Sequence, residues 1–397
     1  MKKFSRSQFC PLLIVLLSIV LLGILSSPVL GQAAAQYVIT NDDLAFPFAT
    51  GIGFFTVGSN GLPVFLQQIP TGSYGAGGGY FGMNRLAMLN DGTQQCVYAS
   101  EARSGEILGI NINTLTIGGM ATGSSGDGGT ANGIGLVMDS NYLYASYSDS
   151  STIGTFAVQQ GCALTFLADI PVKGTRAGII NGMALHGMML IASYTDGSIE
   201  SFNVSGGTPI SNGDKQASTA TSTSQQATFA NSIDITGDGH FAIFGDTATN
   251  LSVEVSDISS GKLSKTTVYQ SSASISSSNL MLSPDETIIY VVNTQGDSVT
   301  ALFFNQGTGA ITPGCTSPRI KGQSQNWSYL GGAGLISQNG NGGGVYVAEF
   351  GTVPAIAMVT LTSAGGKCTL QEAPGSPVDD PNGPGLLSVG TFPPRSF

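Results

Sequence analysis

With 397 residues, 41% of them apolar and regularly spaced, the chain is too rich in core-forming material for disorder, and its length admits one large domain or two smaller ones. A formal charge of −10 argues against nucleic acid and anionic membrane surfaces as partners. The 56 glycines, with few long helix formers, suit a β-protein with many tight turns, because Gly supplies the positive φ that such turns need.

Residues 1–35 read as a secretory signal peptide. Lys2, Lys3 and Arg6 precede an apolar run from Pro11 to Leu25, and small residues then lead into GQAAAQ, which puts cleavage between Gly31 and Gln36. The run is short for a membrane span, and no later stretch is long and apolar enough to cross. Removal takes away three basic residues and no acid, leaving 11 basic and 24 acidic residues and a formal charge of −13. The expected product, residues 36–397, is secreted, periplasmic or held at the cell surface.

That product opens with YVITNDDLAFPFATGIGFFTVGSNGLPVFLQQI, which reads as three strands. A repeated grammar follows: a short apolar strand, a turn rich in Asp, Asn and Gly, an aromatic or β-branched strand, a polar loop and a third strand. Copies begin at Asn84 (NRLAMLNDG), Asn132 (NGIGLVMDS), Asn181 (NGMALHG), Asn231 (NSIDITGDG), Ser278 (SNLMLSPDE) and Gly332 (GAGLISQNG). Most continue through a Gly-containing turn into a fourth strand, as in NQGTGAITPG. A spacing of about 45 to 60 residues is the period of a four-stranded propeller blade. The N-terminal strands lack an innermost partner, and GPGLLSVGTF at the other end supplies one, so Leu386 to Val389 is expected to close the first blade. The fold class is all-β, a seven-bladed β-propeller closed by the C-terminal strand. The Ser/Thr/Gln-rich stretch from Asp214 to Gln226 reads as a loop between blades.

Tyr290-Val291-Val292-Asn293 and Asp297-Ser298-Val299, with Ser283-Pro284-Asp285 before and Thr308-Gly309-Ala310 after, resemble the YVTN-type repeat. The chain is similar over nearly all of residues 36–397 to the lactonase-type seven-bladed propellers, a group that includes 6-phosphogluconolactonases and carboxymuconate cyclases. The resemblance implies a lactone hydrolase or related sugar-acid activity. It also implies a ligand face where the fourth-to-first and second-to-third strand connections gather around the channel.

Register assigns residues to that face. Asn84, Asn132, Asn181 and Asn231 share one repeat position, either as a polar ring that binds a ligand or as groups that satisfy backbone where the chain enters each innermost strand. The second-to-third strand connections carry Glu101, Arg103, Asp149, Tyr194, Asp196, Asp246, Asn293 and Glu349. The interblade loops add Tyr74, Tyr80, Arg85, Asp127, Lys173, Arg176, Trp327 and Tyr329. Arg85, Arg103 and Arg176 offer planar forks for a carboxylate or phosphate. Glu101 or Glu349 is the candidate general base, and Trp327 or Tyr194 the candidate platform for a sugar. For each residue taken singly, a solvated loop is the competing reading.

The resemblance implies a His on the ligand face of cyclases, yet His186 and His240 fall in first-to-second strand turns on the opposite face, so a carboxylate has to replace that base. No GxSxG nucleophile motif occurs. DITGDG (234–239) resembles part of a calcium loop, but Gly245 stands where the twelfth-position acid belongs, and the stretch aligns with the SPDE and LNDG hairpins. No metal or cofactor is expected. Cys10 belongs to the leader, and the remaining four cysteines allow three pairings. Adjacent blades pair Cys96 with Cys162 and Cys315 with Cys368, and three of the four fall near third-to-fourth strand turns. Two readings of function stand: an exported lactone hydrolase, or a non-catalytic propeller scaffold for a carbohydrate, small molecule or protein. A carbohydrate-binding or lyase-like propeller that uses the aromatic loops is a third. A monomer is expected, and an Arg and a Glu in reach of each other at the channel mouth favour the enzyme.

Overall fold

A computed structural model of the protein describes residues 37–42, 50–75, 84–123, 134–217, 230–246, 252–264, 267–271, 277–293, 296–321, 329–336, 344–350, 354–364, 367–381 and 388–394. Residues 1–36, where the signal peptide is expected, and most of the Ser/Thr/Gln-rich stretch lie outside them. Strands 86–90, 95–101, 106–111 and 116–122 make blade two, and 134–138, 142–147, 152–158 and 164–171 make blade three. Blade four has 180–186, 189–194 and 198–203, with two short outer pieces at 210–211 and 216–217. Blade five has 230–235, 241–246, 252–257 and 267–270, and blade six has 277–282, 288–293, 298–305 and 310–316. Blade seven has 329–336, 344–350, 355–364 and 367–372, with 378–379 paired on its third strand. Every pairing is antiparallel, each strand following its hairpin neighbour outward from the channel.

Blade one is the closure. Tyr37–Asn41, Gly51–Val57 and Pro63–Pro70 are its second, third and outer strands, and Ser388–Phe392 is its innermost. The closing strand lies slightly beyond the expected Leu386–Val389: Val389 pairs with Thr40 and Phe392 with Tyr37, while Leu386 and Leu387 fall outside the described residues. Innermost strands of successive blades touch in cyclic order, and Ser388–Phe392 touches those of both blade two and blade seven.

The core divides into seven apolar clusters, one at each seam between neighbouring blades. Blade two shows how the sequence does this. In its second strand, Cys96 and Tyr98 enter the cluster shared with blade three, while Val97 and Ala99 enter the one shared with blade one. Successive side chains point to opposite faces of a strand, and both faces are covered, so the strand is apolar at every step. The seam between blades seven and one, built by Val38, Phe55 and Val389 against Tyr346, Ile356 and Met358, is packed like the others. At roughly 1.5–3 kcal/mol for each large apolar side chain buried, this seam stabilises the closure between the two ends of the chain.

Both expected disulfides form, Cys96–Cys162 between blades two and three and Cys315–Cys368 between blades six and seven. Cys162 sits in a 3-10 turn, Gln160–Cys162, which lies directly on the neighbouring blade. Gly109 and Gly118 permit this approach: a Cβ on either would stand under 2 Å from the carbonyl oxygen of Cys162 or Gly161. Cys368 begins its outer strand at the expected turn, whereas Cys315 is carried to the far end of its own.

Blade four lacks a continuous outer strand, and side chains replace the missing ladder. Asp214 accepts from the Ser201 amide at 3.0 Å, the Ser201 hydroxyl at 2.5 Å and the Leu263 amide of blade five at 2.8 Å.

Candidate functional site

Of the residues assigned to the second-to-third strand loops, Glu101, Tyr194, Asp246 and Asn293 end their second strands and Glu349 stands one residue short of the end, whereas Arg103 and Asp149 lie on exposed turns and Asp196 on a half-buried one. Glu101, Tyr194 and Asn293 are 0% exposed and Glu349 is 2% exposed; Tyr147 and Asp42, the latter one residue past its strand, hold the matching place in blades three and one. Loop placement overestimated their contact with solvent, because the neighbouring blade covers the end of each sheet.

At the seam of blades one and two, Glu101 and Arg85 come together. Thr50 donates to Glu101 Oε2 at 2.6 Å, and the Thr50 and Thr71 hydroxyls lie 2.5 Å apart. Ser73 donates to Glu106, the residue directly across the strand pair from Glu101. Asn41 Nδ2 donates to the Ser100 carbonyl at 2.9 Å and so ties blade one to the same strand. Arg85 is 1% exposed; burial lowers its pKa to about 10 against the pull of Glu101. Burial raises the Glu101 pKa to about 7, with hydrogen bonds from Thr50 and Thr71 and the Arg85 charge opposing and Glu106 adding to the rise. Glu101 Oε1 makes no hydrogen bond.

Asp42 extends this cluster towards blade seven. It accepts from Gln68 Nε2 at 2.9 Å, and burial, with the charges of Asp380 and Glu101, raises its pKa to about 8. Asp380, from the end of blade seven, accepts from Thr40 of blade one at 3.2 Å. Asp42, Asp380, Thr50 and Thr71 were not singled out in the sequence. Placing Asn41-Asp42 in register with Ser100-Glu101 would have pointed to Asp42.

Glu349 belongs to a second acidic cluster, at the seam of blades six and seven. Burial first, then Glu372, Asp297 and Asp379, raises its pKa to about 8. Neither Glu349 Oε1 nor Glu372 Oε1 makes a hydrogen bond. Asp297 pairs with Arg319 at 2.6 Å, and the Lys321 amide donates to Glu372 at 2.9 Å. Among the described residues no group of His, Cys, Asp and Glu is arranged to hold a metal ion.

The other candidates do not join either cluster. Arg103 and Arg176 are exposed on turns of blades two and four, and Asp196 accepts from the Arg176 amide at 2.6 Å. Tyr194 is unsuited to stacking on a sugar: its hydroxyl donates to Glu200 at 3.0 Å, and Lys215, paired with Glu200 at 2.9 Å, covers its ring. Asn181 is buried, and with Asn231 and Ser278 it is the extra residue of a β-bulge in the innermost strands of blades four, five and six. The repeated position is therefore inside the strand, where the bulge needs a residue without a cross-strand partner. Asn84 is exposed, and its carbonyl accepts from the Leu136 amide of blade three at 2.6 Å. Asn132 and Trp327 lie outside the described residues. His186 ends an innermost strand and His240 occupies the next blade's hairpin turn.

A channel cavity of about 240 Å³ is lined by Asn84, Ala87, Met88, Met138, Met183 and Asp234 among others. Asn84 immediately precedes Arg85 in the chain and Ala87 is two residues after it, while neither Arg85 nor Glu101 lines this cavity.

A sequence profile described as lactonase, 7-bladed beta-propeller matches residues 97–381. The chain belongs to this family. No curated protein matches it significantly in sequence. Among solved structures, a functionally unknown protein from Desulfotomaculum acetoxidans is 13% identical with a TM-score of 0.64, over 91% of this chain and 100% of that one. A provisionally assigned 6-phosphogluconolactonase from Bacteroides fragilis is 12% identical with a TM-score of 0.64, over 91% and 99%. Another from Bacteroides uniformis is 13% identical with a TM-score of 0.64, over 90% and 99%. At such identities the likeness is one of fold.

Proposed function

We propose that the protein is an exported lactonase that opens a small lactone ring at the channel side of the blade one–blade two seam. The observation that carries this reading is Glu101: a buried carboxylate with one oxygen unbonded, near-neutral in affinity for protons and coupled to the Arg85 guanidinium. A general base works best when its pKa lies near the operating pH. In the proposed step, ionised Glu101 takes a proton from water as the water oxygen bonds to the lactone carbonyl carbon. Arg85 stabilises the resulting oxyanion. The ring C–O bond then breaks, and the leaving alkoxide takes the proton back from Glu101. Two disulfides suit an oxidising compartment, and with the leader-like N-terminus they support export.

The test is proton release from a panel of sugar and aliphatic lactones. Turnover is expected to rise with pH through an apparent pKa near 7 and to fall at least about 100-fold in Glu101→Gln, the scale of a lost general base. Absence of turnover on every lactone rejects the proposal. A non-catalytic binding propeller is the second reading, and the full enclosure of Glu101 and Arg85 favours it.

A further inference from the structure

We infer that the channel cavity is a binding site for a small, uncharged, apolar molecule, separate from Glu101 and independent of the lactonase reading. The cavity is walled by the innermost strands of blades two to five and by Pro394, which follows the closing strand. In blades three, four and five its lining falls in the later part of each innermost strand: 136–138 of 134–138, 183–185 of 180–186 and 233–235 of 230–235. Glu101 stands by the start of its own innermost strand, since Leu86 pairs with Ala99, and it does not line the cavity.

The lining sets the chemistry of the guest. Eleven of the thirteen lining residues are apolar, and none is Lys, Arg or His. Met88, Met138 and Met183 come from three successive blades and are three of the ten methionines in the chain. An unbranched thioether adapts its shape to an apolar partner, which is why such side chains recur on surfaces that accept varied ligands. Gly390 of the closing strand helps to seat Met88, because a Cβ there would collide with the Met88 methyl group. The charged exception, Asp234, accepts from the Ile235 amide at 2.8 Å through one oxygen and from the Leu282 amide of blade six at 2.7 Å through the other. With both oxygens engaged, Asp234 ties two blades together, and its charge opposes an anionic guest. Size narrows the class further. An engineered apolar cavity of about 150 Å³ stays dry and takes up benzene. At about 240 Å³ this one accommodates a single ring with a short substituent, or two fused rings.

The probes are toluene, benzoate and benzylammonium, titrated at neutral pH into the mature protein labelled with 13C at its methionine methyl groups and followed by NMR. Met88→Leu, Met138→Leu and Met183→Leu, which nearly conserve volume, assign the three signals without disturbing the fold. Toluene is expected to shift those three methyls saturably, with a Kd of about 1 mM or tighter, and to leave the exposed Met120 and Met188 unmoved. Benzoate is expected to bind at least about tenfold more weakly, because an ion loses its hydration there without gaining a partner of opposite charge. No shift at the three methyls in toluene-saturated buffer overturns the inference. Shifts that do not saturate, or that extend equally to Met120 and Met188, also overturn it, since the probe then only partitions onto apolar surface. Benzoate or benzylammonium bound as tightly as toluene at the three methyls overturns the assignment of an uncharged guest. Failure of every lactone in the turnover panel leaves this site standing.

Discussion

Glu349→Gln removes one buried titrating group and tests how the acidic seams respond to pH. Glu349 is 2% exposed, and burial together with Glu372, Asp297 and Asp379 moves its pKa from the ordinary 4.5 to about 8. In the unfolded chain that displacement vanishes. Between those two values the folded state keeps a proton that the unfolded state has released. The associated stability is complete below the unfolded pKa and is lost as pH rises through the folded one. At about 1.36 kcal/mol per pH unit, the full displacement corresponds to roughly 5 kcal/mol, and relaxation around the charge leaves about 2–5 kcal/mol to be observed. The assay is urea unfolding of both proteins at about pH 5, 6.5 and 8.5 with ionic strength fixed. Subtraction of the two cancels the parallel contributions of Asp42 and Glu101, whose folded pKa values are also raised. The Gln variant is expected to come close to the parent near pH 5, to exceed it increasingly as pH rises to about 8, and to keep a constant advantage above that. A difference that stays constant with pH, or is greatest at pH 5, refutes the assignment of a buried proton to Glu349.

Two further predictions concern the frame. Cys96 and Cys162 are 66 residues apart, a loop whose closure is worth about 4 kcal/mol in the chain-entropy account, so replacing both by Ala is expected to lower the urea-unfolding free energy by about 2–4 kcal/mol; a loss below about 0.5 kcal/mol contradicts it. Asp214→Ala strips partners from Ser201 and Leu263, at about 1–3 kcal/mol for each buried group left unpaired, and faster hydrogen exchange at those two amides is the expected readout. Unchanged protection there would show that blade four does not depend on this side chain.

The sequence by itself determined the blade count, the strand order within blades and the closure by the C-terminal strand, and blade adjacency suggested the two disulfide pairs that form. The reason is that a propeller blade is a local object. Four consecutive strands and their turns lie within about 50 residues, the period-two pattern is covered on both faces, and turn residues such as Asp91-Gly92 mark each hairpin. Disulfide pairing was legible because adjacency in the chain becomes adjacency around the ring. The repeated Asn was also visible, yet its place in a bulge at Asn181 was not, since a bulge depends on how the partner strand aligns.

Only the tertiary structure decided which polar residues share a site and whether water reaches them. Asp380 meets Thr40 across 340 positions of chain, and Asp42 meets Glu101 across a blade seam. Glu101, Arg85 and Glu349 carried the right chemistry in the sequence, but nothing local distinguishes a carboxylate on a wet loop from one beneath the next blade. Desolvation is imposed by the neighbouring sheet, and it turns an ordinary Glu101 into a group that titrates near neutrality. Tyr194 and Arg176, equally plausible by register, were separated from the cluster by the same geometry: one lies under Lys215, the other in solvent.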